Sequence, residues 1–274
     1  MSRMPEPTFR VRVNPTNPGQ FFACCGLLEL ADRLWGGAEG WFEDGTFQVV
    51  TRGTLGALLR ALVQESPGEI TRLDNGLDVK PLIAPLRLSL FGDTPVQIVL
   101  DSWMTIRIEK GAVVTTANPP WNFWSGQQTS RRIWTALREA LLKQIEAQVD
   151  FGSEGLFDQR VLLSGRFGFD PGAAWNALDV GFSPNEQKMD VASSPAVELL
   201  AAVGLQRFRP VLLHDRASFV YATWGQPFPP CVAAAAASGA LPVSPAVRFR
   251  GRVVSRGSYA ALGHSTLLRG ADHE

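Results

Sequence analysis

The chain has 274 residues and carries 26 lysines and arginines against 26 aspartates and glutamates, so its formal net charge at neutral pH is zero. With 45% apolar and 19% charged residues it has the composition of a globular protein with a sizeable core, which excludes a disordered, collagen-like or coiled-coil chain. Zero net charge also excludes a general polyanion binder, so any nucleic-acid contact must come from where the bases are placed.

The N-terminal stretch MSRMPEPTFR lacks the apolar core of a secretory signal. Thr8 to Val13 alternates as a strand that puts Arg10 and Arg12 on one face. A proline-rich turn, Asn14 to Gly19, leads into a helix predicted over Gln20–Trp35 and ended by Gly36 and Gly37. Thr46–Thr51 reads as a strand and Leu55–Val63 as a helix. Leu86–Phe91 and Val96–Leu100 read as strands joined by a turn at Gly92 and Asp93, with Trp103–Ile108 continuing the sheet. An irregular segment, Asn118 to Gln128, precedes a helix from about Thr129 to Val149. Arg160–Phe169 is predicted as a strand, Pro195–Leu205 as a helix, and Phe219–Trp224 and Val247–Ser255 as strands.

The expected class is α+β, with mixed or antiparallel sheets, packed helices and a ferredoxin-like N-terminal half. No internal repeat stands out. The irregular stretch Asp170 to Ser194 is the candidate boundary between an N-terminal α+β domain, 1–170, and a C-terminal α+β region, 171–274, unless the whole chain forms one domain. Pro227 to Pro245 is broken by prolines and too alanine-rich for a membrane span, so a soluble, cytoplasmic protein is expected. Cys24, Cys25 and Cys231 form no CxxC or Cys/His cluster and are expected to be buried, reduced and structural. No cofactor or metal is expected.

The sequence lacks a phosphate-binding loop, a dinucleotide fingerprint, a nucleophile elbow and an HExxH pair. His214–Asp215 is an adjacent His/Asp pair outside the C-terminal tail, and a metal-dependent nuclease or hydrolase would use it. Three segments instead carry binding chemistry. Asn17 and Gln20 stand at the start of an apolar helix, whose free amides can accept an anion. Trp121, Asn122, Trp124, Gln127, Gln128, Arg131 and Arg132 combine rings, amides and an arginine pair in a helix's first turn, a set suited to a nucleic-acid strand. Arg248, Arg250, Arg252 and Arg256 share one strand face, a row of like charge stabilised by a phosphate backbone lying across it.

The stretches NPGQFFACCGLLELADRLW (17–35) and SPAVELLAAVGLQRFRP (194–210), with WNFWSGQQ (121–128) between them, resemble the compact CRISPR-associated proteins of type I-G systems, formerly I-U. In particular the chain resembles the short large-subunit-type component of their Cascade complex. The resemblance implies a non-catalytic subunit whose partners are the other Cascade subunits, a guide RNA, target double-stranded DNA and a helicase–nuclease. It would contact target DNA beside the protospacer-adjacent motif, where protein reads a short duplex element and base pairing reads the rest. A guide-RNA-holding backbone or capping subunit of the same complex is the alternative role.

Overall fold

The computed structural model describes residues 4–117, 121–124, 128–147, 149, 151, 155–163, 165–172, 191–215, 217–256 and 259–268. Strand β1 (Phe9–Arg12) leads into helix α1 (Pro18–Trp35), the hairpin β2 (Glu39–Glu43) and β3 (Thr46–Val50), helix α2 (Leu55–Gln64) and the short β4 (Gly68–Glu69). The first sheet is antiparallel in the order β1–β3–β2. This β-α-β-β-α-β succession matches the ferredoxin-like plan for three strands. The fourth, β4, departs from it by pairing with β5 (Leu86–Phe91) in a second sheet completed by β6 (Pro95–Leu100).

Strands β7 (Thr105–Glu109) and β8 (Ala112–Thr116) then form a separate two-stranded ribbon. Helix α3 (Ser130–Glu146) is followed by β9 (Val161–Leu163), which pairs with β10 (Val191–Ser193) just before helix α4 (Pro195–Arg207). The last sheet runs β11 (Val211–Leu212), β12 (Ser218–Ala222), β13 (Arg248–Arg256), β14 (Tyr259–Leu262), with β15 (Thr266–Leu267) also on β13. Helix α5 (Pro230–Ala237) lies between β12 and β13. The chain is thus α+β, as its sequence implies. One hydrophobic core draws on residues from Phe9 to Leu262. Residues 173–190, within the expected domain boundary, lie outside the described residues.

Helices α1 and α4 cross at the centre of that core, and both are buried on nearly every side. Each begins with a capping side chain and a proline in the first turn: Asn17 Oδ1 accepts from Gln20 N–H, and Ser194 Oγ accepts from Val197 N–H. Pro18 is therefore already helical, two residues before the predicted start. The crossing is set by glycine. A Cβ on Gly26 would overlap the Leu200 carbonyl oxygen, and one on Gly204 would overlap the Phe22 carbonyl oxygen. Around it, Phe21 and Phe22 reach Tyr221, and Phe21 also packs against Phe42 and Trp224. Glu29, 2% exposed, joins the helices by accepting from Arg33 on α1 at 2.6 Å and from Arg207 on α4 at 2.5 Å. A buried carboxylate needs such compensating partners.

Several sequence expectations need correction. The predicted strand over Arg160–Phe169 is confined to Val161–Leu163, because the backbone beyond it turns aside to bind a buried carboxylate described below. Strand β2 and helix α5 escape the sequence reading, the first because Gly40 interrupts its apolar pattern, the second because an alanine run between prolines shows no period. Cys24 and Cys25 are buried, but Cys231 is exposed at the start of α5.

Gly204→Ala is expected to destabilise the chain by about 1–3 kcal/mol, since a methyl at the crossing must push two helices apart. Gly56→Ala on the open face of α2, where a Cβ meets only the end of Arg60 at 3.8 Å, is expected to be neutral or slightly stabilising. Urea midpoints of the two variants check the contrast; equal shifts would remove the crossing from its central place.

Candidate nucleic-acid interface

Strand β13 separates its side chains cleanly. Phe249 and Gly251 face inward: Phe249 stacks on Tyr221 at 5.4 Å, and a Cβ on Gly251 would enter the Phe219 ring. Arg248, Arg250 and Arg252 therefore share the other face, at intervals of roughly 6.7 Å along the strand. Arg248 and Arg252 are exposed and Arg250 is half-buried. Across the sheet they stand opposite Ala222, Val220 and Ser218 of β12, none of which carries charge. Among the described residues Arg248 and Arg252 have no ion-pair partner; Arg250 lies 3.9 Å from Asp215. Arg256 ends the strand, and its side chain lies outside the described residues.

Asp215 is the acidic neighbour that the sequence reading of this stripe overlooked. It accepts from Ala217 N–H, Ser218 N–H and Ser218 Oγ–H at 2.7–3.0 Å, closing the turn between β11 and β12. Those bonds, the Ser218 hydroxyl first, hold its carboxyl below the usual range. His214 is exposed in the same turn. Asp215 thus takes part in closing the turn. Among the described residues no group of three His, Cys, Asp or Glu side chains gathers as for a metal ion.

The second basic feature is the start of α3. Thr129 caps the helix through Arg132 N–H, and Ser130 Oγ–H, fully buried, donates to Ala84 O at 2.6 Å. This anchoring leaves Arg131 and Arg132 on the outside, along an open depression of about 480 Å³ shared with Thr135 and Glu139. Neither arginine has an ion-pair partner among the described residues. In a first helical turn their charge opposes the helix dipole, an arrangement that an anion would relieve.

The rings expected to stack with bases lie in the core. Trp121 is 2% exposed and meets Phe219 edge-on at 5.3 Å; Trp124 packs edge-on against Trp103 and Phe167 and donates its indole N–H to Leu82 O at 2.8 Å. Neither ring has a face open to a base, because burying each apolar ring outweighs its exposure in a polar loop. Asn122 and Gln128 are half-buried, Gln128 next to Gly165, while Gln127 lies outside the described residues.

The start of α1 is likewise closed. Asn17 and Gln20 are buried, with Gln20 Oε1 accepting from Asn14 N–H at 2.8 Å. The anion expected there is supplied from within: Asn17 donates its amide to Asp170 at 3.0 Å, and Gly19 lies against the Phe169 carbonyl. Beside it Glu198, in the first turn of α4 and wholly buried, accepts from the backbone N–H groups of Gly168, Phe169 and Asp170 at 3.0–3.3 Å. Burial pushes this carboxyl up to about 7, against the downward pull of those N–H groups and of Arg166. Sequence reading missed this group, although an acid in the first turn of a proline-initiated helix was a usable signal.

The fold is therefore α+β, with two arginine-lined outer surfaces and with both central helix N-termini packed against the chain's own 168–170 loop. No protein-family model, no curated protein and no solved structure matches the chain. Among the described residues no helix is long and apolar enough to cross a membrane.

Because Glu198 titrates higher in the folded chain than its ordinary 4.5, its contribution to stability is complete below about pH 4.5 and is lost as pH rises through 7. The shift corresponds to roughly 3 kcal/mol. Urea titrations across this window are expected to show a decline for the native chain that is largely absent in Glu198→Gln; identical pH profiles would contradict the assignment.

Proposed function

We propose that the chain is a non-catalytic, cytoplasmic subunit of a type I CRISPR RNA-guided complex of the compact type I-G (formerly I-U) kind, and that β13 follows a sugar–phosphate backbone within it. In this role it contacts target DNA near the protospacer-adjacent motif, helps recruit the helicase–nuclease, and shares the guide RNA with the other Cascade subunits. The observation that carries the binding half of the reading is the row Arg248, Arg250 and Arg252, set on one strand face by the inward anchors Phe249 and Gly251, with Arg248 and Arg252 exposed. Guanidinium groups are suited to bidentate phosphate contacts and remain charged at any working pH. Arg131 and Arg132 provide a second point for phosphate. The assembly half rests on the resemblance of the segments 17–35 and 194–210.

With Trp121 and Trp124 buried, binding here is of backbone phosphate, without base stacking, and is correspondingly insensitive to sequence. The strand order β1–β3–β2 favours a second role in the same complex, that of a guide-RNA-holding backbone or capping subunit. Copy number separates the two, since a backbone subunit repeats along the guide and a large-subunit component does not.

Co-expression of the tagged chain with its neighbouring genes and a CRISPR array is expected to yield a particle containing a discrete guide RNA. Replacing Arg248, Arg250 and Arg252 together by alanine is expected to weaken target-DNA binding by tenfold or more. It should also flatten the log–log salt dependence by two to three units, at roughly 0.9 per duplex phosphate lost. Unchanged affinity and slope in an intact particle would contradict the role of β13; a lone chain free of nucleic acid would contradict the complex itself.

A further inference from the structure

Among the described residues the ribbon of β7 and β8 pairs only with itself. Neither outer edge exchanges a backbone hydrogen bond with another described element. Lys110 and Gly111, at φ +52° and +81°, make its two-residue turn, the hairpin geometry that matches strand twist. On one face Ile106, Ile108 and Val113 are 49%, 77% and 51% exposed, with Ile108 directly opposite Val113. The other face of β7 carries Arg107 and Glu109, both exposed. An isolated two-stranded ribbon is marginal in water, and an apolar edge strand with unpaired amides is a template for another chain.

The edge of β7 fits a second copy of itself. A two-residue turn makes Glu109 and Ala112 a hydrogen-bonded pair, so the N–H and C=O groups of Ile106 and Ile108 point away from β8. When two copies of β7 lie antiparallel about a two-fold axis at Ile108, the two Ile108 residues exchange both backbone bonds. Arg107 of each copy then stands opposite Glu109 of the other, in the closely spaced positions where cross-strand charges act most strongly. An axis at 107 or 109 sets like charges against each other, and an axis at 106 leaves both unpaired. Charge thus selects one register.

The geometry points to a symmetric dimer of this chain, formed by β7–β7 pairing into a continuous four-stranded sheet. Ile106, Ile108 and Val113 of both copies then line up on one face, each shielding its neighbours. An interface built on one ribbon falls below about 1,200 Å², the small class, so the dimer is reversible in the micromolar range. This inference is independent of the nucleic-acid reading.

Sedimentation equilibrium of the full chain across the micromolar range is the test. The native chain is expected to dimerise reversibly, and Arg107→Glu and Glu109→Arg, both at exposed positions, are each expected to weaken dimerisation roughly tenfold or more, since like charges then face each other. An equimolar mixture of the two variants is expected to dimerise like the native chain, because the carboxylates of one copy then face the arginines of the other. A native chain that stays monomeric, single variants that dimerise normally, or a mixture that stays monomeric would each overturn the proposal.

Discussion

The close approach of α1 and α4 at Gly26 and Gly204 is the constraint on which the rest of the fold depends. Helices packed at ordinary distance leave room for side chains between their axes; here the backbone of each helix occupies that room, with Gly26 against Leu200 and Gly204 against Phe22. The remaining face of α1 is then free to be covered by Phe42 of β2, Tyr221 of β12 and Trp224 just beyond β12. The same crossing places the two helix N-termini where one loop, 166–170, reaches both. Asp170 binds Asn17 at the start of α1, and Glu198 binds the loop backbone at the start of α4. Glu29 closes the other end of the pair through Arg207.

That arrangement decides where binding chemistry is available. The helix N-terminus at Asn17 does meet an anion, but one from the same chain. Buried polar groups must be paired, and here Asp170 takes the Asn17 side-chain amide while Glu198 takes the backbone N–H groups of Gly168, Phe169 and Asp170. Positive charge on β13 and at the start of α3 faces outward instead. Whole-chain neutrality is a poor guide to these surfaces, because Glu29 and Asp170 are buried and pair inside. The field over β13 is set locally, by its arginines and by Asp215.

Much of this was legible in the sequence where one physical signal dominated. The apolar period and the Asn–Pro and Ser–Pro starts give α1 and α4, and strict alternation gives β13 with its arginines on one face. What the sequence hid was which partner each segment meets. Trp121 and Trp124 look like exposed rings beside Asn122 and Gln128, yet Phe219, Phe167 and Trp103, distant in sequence, supply their pocket. Gly26 and Gly204 look like weak points in two helices until the helices touch. Asp215 reads only as the neighbour of His214, and its bonds to Ser218, which close a turn, were not legible. Strand β8 was missed because no segment of the core calls for it.

In the proposed role β13 is the face that meets nucleic acid, while Trp121 and Trp124 belong to the core. The most direct measurement is arginine footprinting of the assembled particle with a guanidinium-reactive dicarbonyl, read residue by residue by mass spectrometry before and after nuclease digestion. Arg248 and Arg252 are expected to be protected in the loaded particle and to become reactive after digestion, with exposed Arg60 reactive throughout. Equal reactivity of Arg248 and Arg252 in both states would contradict the account.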